Sequence, residues 1–360
     1  MPEVVDGRGD SPESGSPGPK LPPPPHGASA ALREEIGEIN VSADRAHLLT
    51  APSNTEEWLA VIEADNAAKL EDLVPVIESA PAAVEAREVG GVPVHFVIPH
   101  AVEPAHEDHL FVHVHGGGWV MNGGLAGVAE ALAIAVQLGI PTVSVDYRMP
   151  PADPAPAAVD DVVAVYRALL EQRRPASMFM GGSSAGGNLT LCAVQRLIRE
   201  GLRPPGALFI GTPAVDLTKT GDSRFTNEGV DRHVPSWDGL LTAAAGLYAG
   251  VLDLRDPQIS PIYGSFDGFP PTLLVTGTRD LLLSDTVRAH VALRTAGAVA
   301  DLLVFEGMSH GDYLIAATSP EARLFVGELD RFLVAHLRSA ERRPADGVGQ
   351  FGSALEMGLG

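Results

Sequence analysis

The segment that most constrains the fold of this chain is Gly182-Ser183-Ser184-Ala185-Gly186, which follows the apolar run Met178-Phe179-Met180. A Gly-x-Ser-x-Gly sequence between a strand and a helix is typical of a nucleophile elbow. The turn is so tight that the neighbours of the serine must be small, and the serine is exposed at the edge of a sheet. Ser184 is therefore the candidate nucleophile. Because a serine hydroxyl is inert near neutral pH on its own, the chain must also supply a base and an oxyanion hole.

A triple-glycine loop upstream of this motif is the candidate oxyanion hole. The sequence His115-Gly116-Gly117-Gly118-Trp119 follows an apolar run that is predicted to be a strand. Glycines allow backbone N–H groups to approach a substrate oxygen without an intervening side chain. His115 is predicted to orient this loop by hydrogen bonding. The predicted oxyanion donors are the N–H groups of Gly117, Gly118 and Ala185.

An acid and a histidine follow the serine in the chain order that a Ser-Asp-His triad on this kind of sheet requires. Asp280 comes just after the apolar run 272–277, and His310 lies in the loop after the apolar run 302–305. Both residues fall at carboxyl ends of predicted strands, where open α/β sheets place their chemistry. His310 is the candidate base, and Asp280 is the candidate acid that orients it.

Three other residues compete for these roles. Asp285 and Glu306 are alternative acids, although Asp285 is predicted to lie in the first turn of a helix, where a carboxylate is favourable against the helix dipole. Ser309 lies in a second literal Gly-x-Ser-x-Gly sequence, but the residues after it do not resemble the small-residue helix start of an elbow. Asp280 and Ser184 remain the preferred candidates.

Four histidines upstream of the glycine loop have spacings that also fit a metal site: His106, His109, His113 and His115. A zinc hydrolase is the alternative interpretation, because closely spaced imidazoles can share a metal ion. However, His113 and His115 lie two residues apart on an apolar strand, and His115 is better assigned to the glycine loop. We therefore expect neither a metal ion nor another cofactor.

Composition limits the partners that the chain can have. The net charge is −21 and the isoelectric point is about 4.8, which argues against nucleic acid and anionic membranes. The expected partner is a small-molecule substrate. Cys192 is the only cysteine, so no intrachain disulfide is possible. The sequence has no signal-peptide pattern and no apolar run long enough to span a bilayer, so a cytoplasmic location is expected. A monomer and a homodimer both remain open.

Short apolar runs alternate with helical patterns along most of the chain, which is typical of an α/β fold with a mostly parallel central sheet flanked by helices. The predicted strands are 92–98, 109–115, 142–147, 177–181, 207–211, 272–277 and 301–305. The predicted helices lie near 125–138, 156–173, 187–200, 285–297 and 320–339.

The chain also divides into regions of different composition. Residues 1–28 are rich in Pro, Gly and Ser and are predicted to be disordered. Residues 29–85 have helical patterns and are predicted to form the N-terminal part of a helical cap. The catalytic domain is assigned to 86–340, with a cap insertion at about 213–260, and 341–360 is predicted to be a flexible tail.

Taken together, the glycine loop, Asp146-Tyr147-Arg148, the Ser184 elbow, Asp280 and His310 resemble the bacterial hormone-sensitive-lipase-like esterases. The resemblance covers roughly residues 90–340. It implies an α/β-hydrolase fold with a helical cap and cofactor-free hydrolysis of short- to medium-chain carboxylic esters. One departure is Ser183, because the family usually has Asp or Thr before the nucleophile.

Two alternatives to a carboxylesterase stay open at this point. The stretch 211–218, together with the Ser183-Ser184 elbow, is similar to family members that open monoterpene ε-lactones. A lactone is a cyclic ester, so the same triad would serve. The second alternative is a ligand-binding protein on the same fold that has lost catalysis, since a fold alone does not establish activity.

Overall fold

The computed structural model describes residues 22–38, 50–315 and 319–338. Its centre is an eight-stranded sheet in the order β1-β2-β4-β3-β5-β6-β7-β8. β1 and β2 form an antiparallel hairpin, β2 is antiparallel to β4, and the remaining pairs are parallel. The strands are β1 (Ala82–Val89), β2 (Val92–Pro99), β3 (Leu110–Val114), β4 (Thr142–Val145), β5 (Met178–Ser183), β6 (Ala207–Gly211), β7 (Thr272–Gly277) and β8 (Ala300–Phe305).

Helices cover both faces of this sheet, as a parallel sheet with buried strands requires. Every residue of the central strands β3 to β7 is buried, and these strands are accordingly apolar runs rather than alternating patterns. The helices are α1 (Ala30–Glu38), α2 (Thr55–Ser79), α3 (Ala129–Leu138), α4 (Ala157–Leu169), α5 (Ala185–Arg199), α6 (Ser223–Thr226), α7 (Leu240–Ala249), α8 (Leu283–Thr295), α9 (Asp312–Ile315) and α10 (Pro320–His336).

Two large apolar clusters fix these helices on opposite faces of the sheet. One cluster contains buried side chains of α4, α5 and α8, such as Val162 and Leu189. The other contains those of α3 and α10, such as Ile134 and Phe325, and it also includes Leu32 of α1. Because the strands are buried between both clusters, the carboxyl ends of the parallel strands are held in fixed relative positions.

The α/β fold class and the predicted strands are confirmed, each within a few residues. The sequence interpretation missed β1, in which Ala82 is buried and the rest of the strand is exposed or half-buried. Its residues carry three charges, so no apolar run marks it. As a result, the sheet begins at Ala82, inside the segment 29–85 that the sequence interpretation assigned to the cap.

A smaller apolar cluster joins α2 and α7 above the glycine loop. Trp58 of α2 is buried against Leu240 and Ala244 of α7, and Val120, just after the glycine loop, completes the cluster. The N-terminal helical segment and the insertion after β6 therefore meet at the carboxyl end of the sheet.

The predicted disordered segment 1–28 and the predicted tail 341–360 lie largely or wholly outside the described residues. Of the first segment, residues 22–28 are described, and the carbonyl oxygens of Pro22 and Pro23 accept hydrogen bonds from Arg279. Ala28 is buried. Within the described part of the chain, no helix combines the length and apolar character that crossing a bilayer requires.

Candidate active site

Ser184 lies on a sharp turn between β5 and α5. Its backbone has φ 60° and ψ −122°, outside the normal regions for a residue with a side chain, and its N–H donates to the carbonyl of Gly211 at 2.8 Å. A Cβ atom at Gly182 or Gly186 would approach the Val114 carbonyl oxygen to 1.9 or 2.0 Å. Glycine is therefore the only residue that fits at position 182 and at position 186. The two glycines of the motif are required because the tight turn around Ser184 brings both positions against this carbonyl.

The glycine loop follows β3 and lies beside the elbow. Gly117 and Gly118 both have positive φ angles, 119° and 59°. The Gly117 carbonyl accepts hydrogen bonds from the N–H groups of Val120 and Met121, which closes the loop into a tight turn. In the part of the chain that the structure describes, the N–H groups of Gly117, Gly118 and Ala185 donate to no backbone acceptor. These three groups are therefore available to a bound oxygen.

Two side chains hold the glycine loop through the carbonyl of Gly116. Nδ1 of His115 lies 2.8 Å from this oxygen, and Nδ2 of Asn122 donates to it at 3.0 Å. Burial lowers the pKa of His115 to about 3, so its ring is neutral and Nδ1 carries the proton that the carbonyl accepts. The ring also stacks on Tyr147 at a centroid distance of 4.1 Å. The predicted hydrogen bond between His115 and the loop is present in the structure.

Asp280 and His310 meet at the carboxyl ends of β7 and β8. Nδ1 of His310 lies 3.1 Å from Oδ1 of Asp280, and that oxygen also accepts the N–H of Leu282 at 2.8 Å. The other oxygen of Asp280 accepts the hydroxyl groups of Thr276, at 2.6 Å, and Thr212. Asp280 is fully buried, so these donors replace the water that the carboxylate loses.

The electrostatics of this pair favour an ionised Asp280 and a basic His310. Burial alone would raise the pKa of Asp280, but the hydrogen bond and charge of His310 and the two threonine hydroxyls hold it below its ordinary value. Burial alone would lower the pKa of His310, but the hydrogen bond to Asp280 and the charges of nearby carboxylates outweigh this effect and raise it. The imidazole is therefore suited to accept a proton.

Ser184 and His310 line the same cavity, which has a volume of about 630 Å³. Gly117 and Gly118 also line it, so the candidate nucleophile, base and two of the oxyanion donors face one space. Among the described residues, no hydrogen bond joins Ser184 to His310. Such catalytic hydrogen bonds often tighten only when substrate is bound.

The competing residues lie elsewhere. Asp285 is buried in an ion pair with Arg224, at 2.6 Å, and Glu306 is exposed at the end of β8. Ser309 is 2% exposed, and its hydroxyl accepts the N–H of Arg232. Neither alternative acid contacts His310, and Ser309 does not line the cavity.

Two of the four upstream histidines contact each other, and the other two contact different partners. His106 lies 3.0 Å from His109, ring nitrogen to ring nitrogen, and its other nitrogen contacts Asp330. His113 contacts Ser144 at 2.9 Å, and His115 holds the glycine loop as described. A three-residue group with metal-ligand spacing exists among the described residues only where Asp280 and His310 meet Asp231. Protein donors already occupy both carboxylates of that group.

Ser183, the departure from the family pattern, contacts a carboxylate supplied by another element. Its hydroxyl lies 2.7 Å from Oε1 of Glu130, in the first turn of α3, and 2.7 Å from the hydroxyl of Tyr313. Glu130 lines the cavity. A carboxylate therefore contacts the residue before the candidate nucleophile, although residue 183 itself does not carry it.

The sequence interpretation missed two residues that contact the candidate acid and the candidate base. The hydroxyl of Thr212, after β6, lies 3.0 Å from Nδ1 of His310 and donates to Asp280. Asp231, in the insertion after β6, accepts the backbone N–H of His310. The position of Thr212 at a strand end was an available signal, but Asp231 lies in a segment without periodicity.

Comparison with known proteins shows the family to which this chain belongs. A family profile described as the α/β-hydrolase fold matches residues 111–314. The solved structure of an esterase from the bacterial hormone-sensitive lipase family is 30% identical, with a TM-score of 0.73, and the match covers 86% of this chain and 99% of that one. The chain belongs to the bacterial hormone-sensitive lipase family of α/β-hydrolases.

Three further proteins, each named as an esterase or a carboxylesterase, are similar to this chain in sequence or structure. The crystal structure of an esterase called E25 is 48% identical, with a TM-score of 0.86, over 89% of this chain and 98% of that chain. An esterase of Acinetobacter venetianus is 30% identical over 62% of this chain and 74% of its own length. Carboxylesterase NlhH of Mycobacterium tuberculosis is 32% identical over 66% of this chain and 78% of its own length.

Proposed function

We propose that this protein is a serine carboxylesterase that hydrolyses short- to medium-chain carboxylic esters through an acyl-enzyme. The observation that carries the proposal is the convergence of Ser184, His310 and the glycine loop on one cavity, with Asp280 behind His310. The names of similar proteins, esterase and carboxylesterase, support the same activity.

In the proposed reaction, the oxygen of Ser184 bonds to the ester carbonyl carbon while His310 takes the serine proton. His310 then returns that proton to the departing alcohol, and the acyl group remains on the serine. Water, deprotonated by His310, attacks the acyl-enzyme and releases the acid. Asp280 holds Nδ1 of the imidazole and stabilises its charged form at each step.

The negative charge on the carbonyl oxygen would develop next to three backbone donors. The N–H groups of Gly117, Gly118 and Ala185 supply the hydrogen bonds, and His115 and Asn122 fix the loop through the Gly116 carbonyl. Donors that are already in place need no reorganisation during the reaction, and one such donor typically contributes about 3 kcal/mol.

The cavity suits small, largely apolar esters. A volume of about 630 Å³ lies within the range of roughly 300–1,000 Å³ that is common for small-molecule sites. Apolar side chains form much of its wall, among them Val120, Met121, Leu240, Leu241, Ala244 and Leu314.

We also assign the helical cap to α2 and the insertion at about 213–260. Both segments contribute side chains to the cavity wall, for example Lys69 of α2 and Leu241 of α7. The apolar cluster of Trp58, Leu240 and Val120 connects them to the glycine loop. A cap in this position would limit access of water and shape the acyl or alcohol site.

Hydrolysis of p-nitrophenyl esters with acyl chains of two to about twelve carbons tests the proposal. Wild-type protein should cleave the shorter esters, and Ser184→Ala should reduce the rate by at least about a thousandfold. Ser309→Ala is the matched control, because it removes the serine of the other Gly-x-Ser-x-Gly sequence, and it should retain most of the activity. Full activity in Ser184→Ala would contradict the proposal.

Lactone hydrolysis stays a prediction from the sequence, since the same groups would open a cyclic ester. The rate on an ε-lactone, measured beside an open-chain ester of similar size, separates the two substrate classes. Stoichiometric binding of an ester without turnover would instead favour the ligand-binding alternative.

A further inference from the structure

A second buried carboxylate, Asp231, lies beside the proposed triad and has no role in the reaction described above. Its side chain is fully buried. One oxygen of Asp231, one oxygen of Asp280 and one ring nitrogen of His310 all lie within 4.8 Å of one another. Two carboxylates therefore flank a single imidazole.

The Asp231 carboxylate connects the two loops that carry the acid and the base. Its Oδ2 accepts the N–H of Leu281, next to Asp280, at 2.8 Å and the N–H of His310 at 3.2 Å. Its Oδ1 accepts the N–H groups of His233 and Val234 at 2.9 and 3.0 Å. One side chain thus fixes both loops relative to each other.

The residues after Asp231 fasten the same segment to the His310 loop. The guanidinium of Arg232 forms an ion pair with both oxygens of Asp312, with a shortest distance of 2.6 Å. The backbone N–H of Arg232 donates to the hydroxyl of Ser309. His233 contacts Asp312 at 2.6 Å. Asp312 and Ser309 flank His310 in sequence, so the carboxylate of Asp231 is held at a fixed position.

Building on the serine esterase proposed above, we propose that Asp231 is a positioning residue for His310 that acts together with Asp280. It holds the backbone of His310 in place and adds a second negative charge beside the imidazolium that forms in each half of the reaction. No proton or bond passes through Asp231 itself.

The charges that face His310 come from three elements: Asp280 after β7, Asp231 in the insertion and Asp312 in α9. The guanidinium of Arg232 offsets the charge of Asp312, and the ring of His233 contacts the same carboxylate. Burial, followed by the neighbouring charge of Asp280, raises the pKa of Asp231 to about 6, so it is ionised above neutral pH. Loss of its charge would make protonation of His310 less favourable and would lower the pKa of that imidazole.

The test is the pH dependence of kcat/KM in Asp231→Asn, with product measured by chromatography so that the signal does not depend on pH. In the wild type, kcat/KM falls on acidification, and this fall is the acidic limb of the pH profile. We expect the midpoint of the acidic limb to move to lower pH by about one unit in Asp231→Asn, because an opposite charge at this distance shifts a pKa by about that much. A loss of one pKa unit also means that the imidazolium of the variant is less stable in the reaction. We therefore expect kcat to fall roughly tenfold in Asp231→Asn, with KM nearly unchanged.

Two further variants separate charge from structure. Asp238→Asn makes the same change in the same insertion, where the carboxylate is 68% exposed and pairs with Lys219, and it should leave the profile unchanged. Asp231→Glu keeps the charge and should keep the acidic limb of the wild type, whatever its kcat. A folded Asp231→Asn with the acidic limb of the wild type would overturn the proposal.

If Asp231→Asn does not fold, Asp231→Ser replaces it, since a smaller side chain leaves space for a water molecule. If Asp231→Ser has its acidic limb at the same pH as the wild type, that result would also overturn the inference. Failure of the proposed function has a different signature, because activity would then persist in Ser184→Ala. An unchanged limb in a Ser184-dependent enzyme refutes only the role of Asp231.

Discussion

Nδ1 of His310 lies 3.1 Å from Oδ1 of Asp280, whose carboxylate is fully buried at the carboxyl edge of the sheet. The carboxylate retains its charge there because His310 and the hydroxyl groups of Thr212 and Thr276 hold its pKa below the ordinary value. As a result, the pKa of His310 is raised above its ordinary value despite the burial of the ring.

The raised pKa of His310 predicts where activity is lost on acidification. Only the neutral imidazole accepts the Ser184 proton, so kcat/KM should fall as the pH drops through the His310 pKa. Because that pKa is raised, the midpoint of the acidic limb should lie above the reference value of about 6.5. A pH profile of the free enzyme checks this, and a constant rate down to about pH 5 would contradict it.

Thr212→Val should slow the reaction without unfolding the protein. The Thr212 hydroxyl contacts both His310 and Asp280, and hydrogen bonds to charged groups contribute about 1.5–3 kcal/mol. We expect kcat to fall by about tenfold to a hundredfold in steady-state assays. The control is Thr272→Val, a buried threonine at the amino end of β7 whose hydroxyl bonds, among the described residues, only to the Pro270 carbonyl. Equal rates in the two variants would argue against a role for Thr212.

Gly117→Ala should nearly abolish activity. A Cβ atom there would lie 2.5 Å from the Met121 carbonyl oxygen, and the φ of 119° is unfavourable for alanine, so the glycine loop must move. Displaced oxyanion donors should reduce kcat by about a hundredfold or more. Gly91→Ala is the matched control, because it has a positive φ in the β1–β2 turn but open space around the Cβ position. An active Gly117→Ala would show that the loop does not hold the oxyanion.

Arg224→Met should destabilise the fold. Arg224 and Asp285 form an ion pair in which both side chains are fully buried, and the guanidinium also lies 3.6 Å from the centre of the Trp237 ring. Methionine retains part of the packing but leaves the Asp285 charge unpaired, which costs about 3–5 kcal/mol. Unfolding by urea measures the difference. Lys219→Met removes a surface cation in the same region and should cost at most about 1 kcal/mol.

The sequence predicted the parts of this molecule that steric rules determine. Gly182 and Gly186 are needed because any side chain would collide with the Val114 carbonyl, so the elbow is visible as a local motif. The central strands are buried on both faces and are therefore recognisable as apolar runs. The chain order of the serine, the acid and the histidine follows from the same sheet topology.

The parts that escaped prediction depend on contacts between distant segments. β1 is an edge strand with charged residues, and only its pairing with β2 defines it. Asp231 lies 49 residues before Asp280 in the sequence and 79 before His310, and no local pattern indicates that its carboxylate meets their loops. Glu130 of α3 likewise reaches Ser183 at the end of β5. Such contacts are tertiary, so a single sequence does not reveal them.

The most direct test of the proposed mechanism is to identify the residue that a fluorophosphonate modifies. The reagent should form one covalent adduct with the wild-type protein, and peptide mass spectrometry should locate it on Ser184, with loss of esterase activity in proportion to labelling. Ser184→Ala should remain unlabelled under the same conditions. An adduct on Ser183 or Ser309, or inactivation without modification of Ser184, would contradict the assignment of the nucleophile.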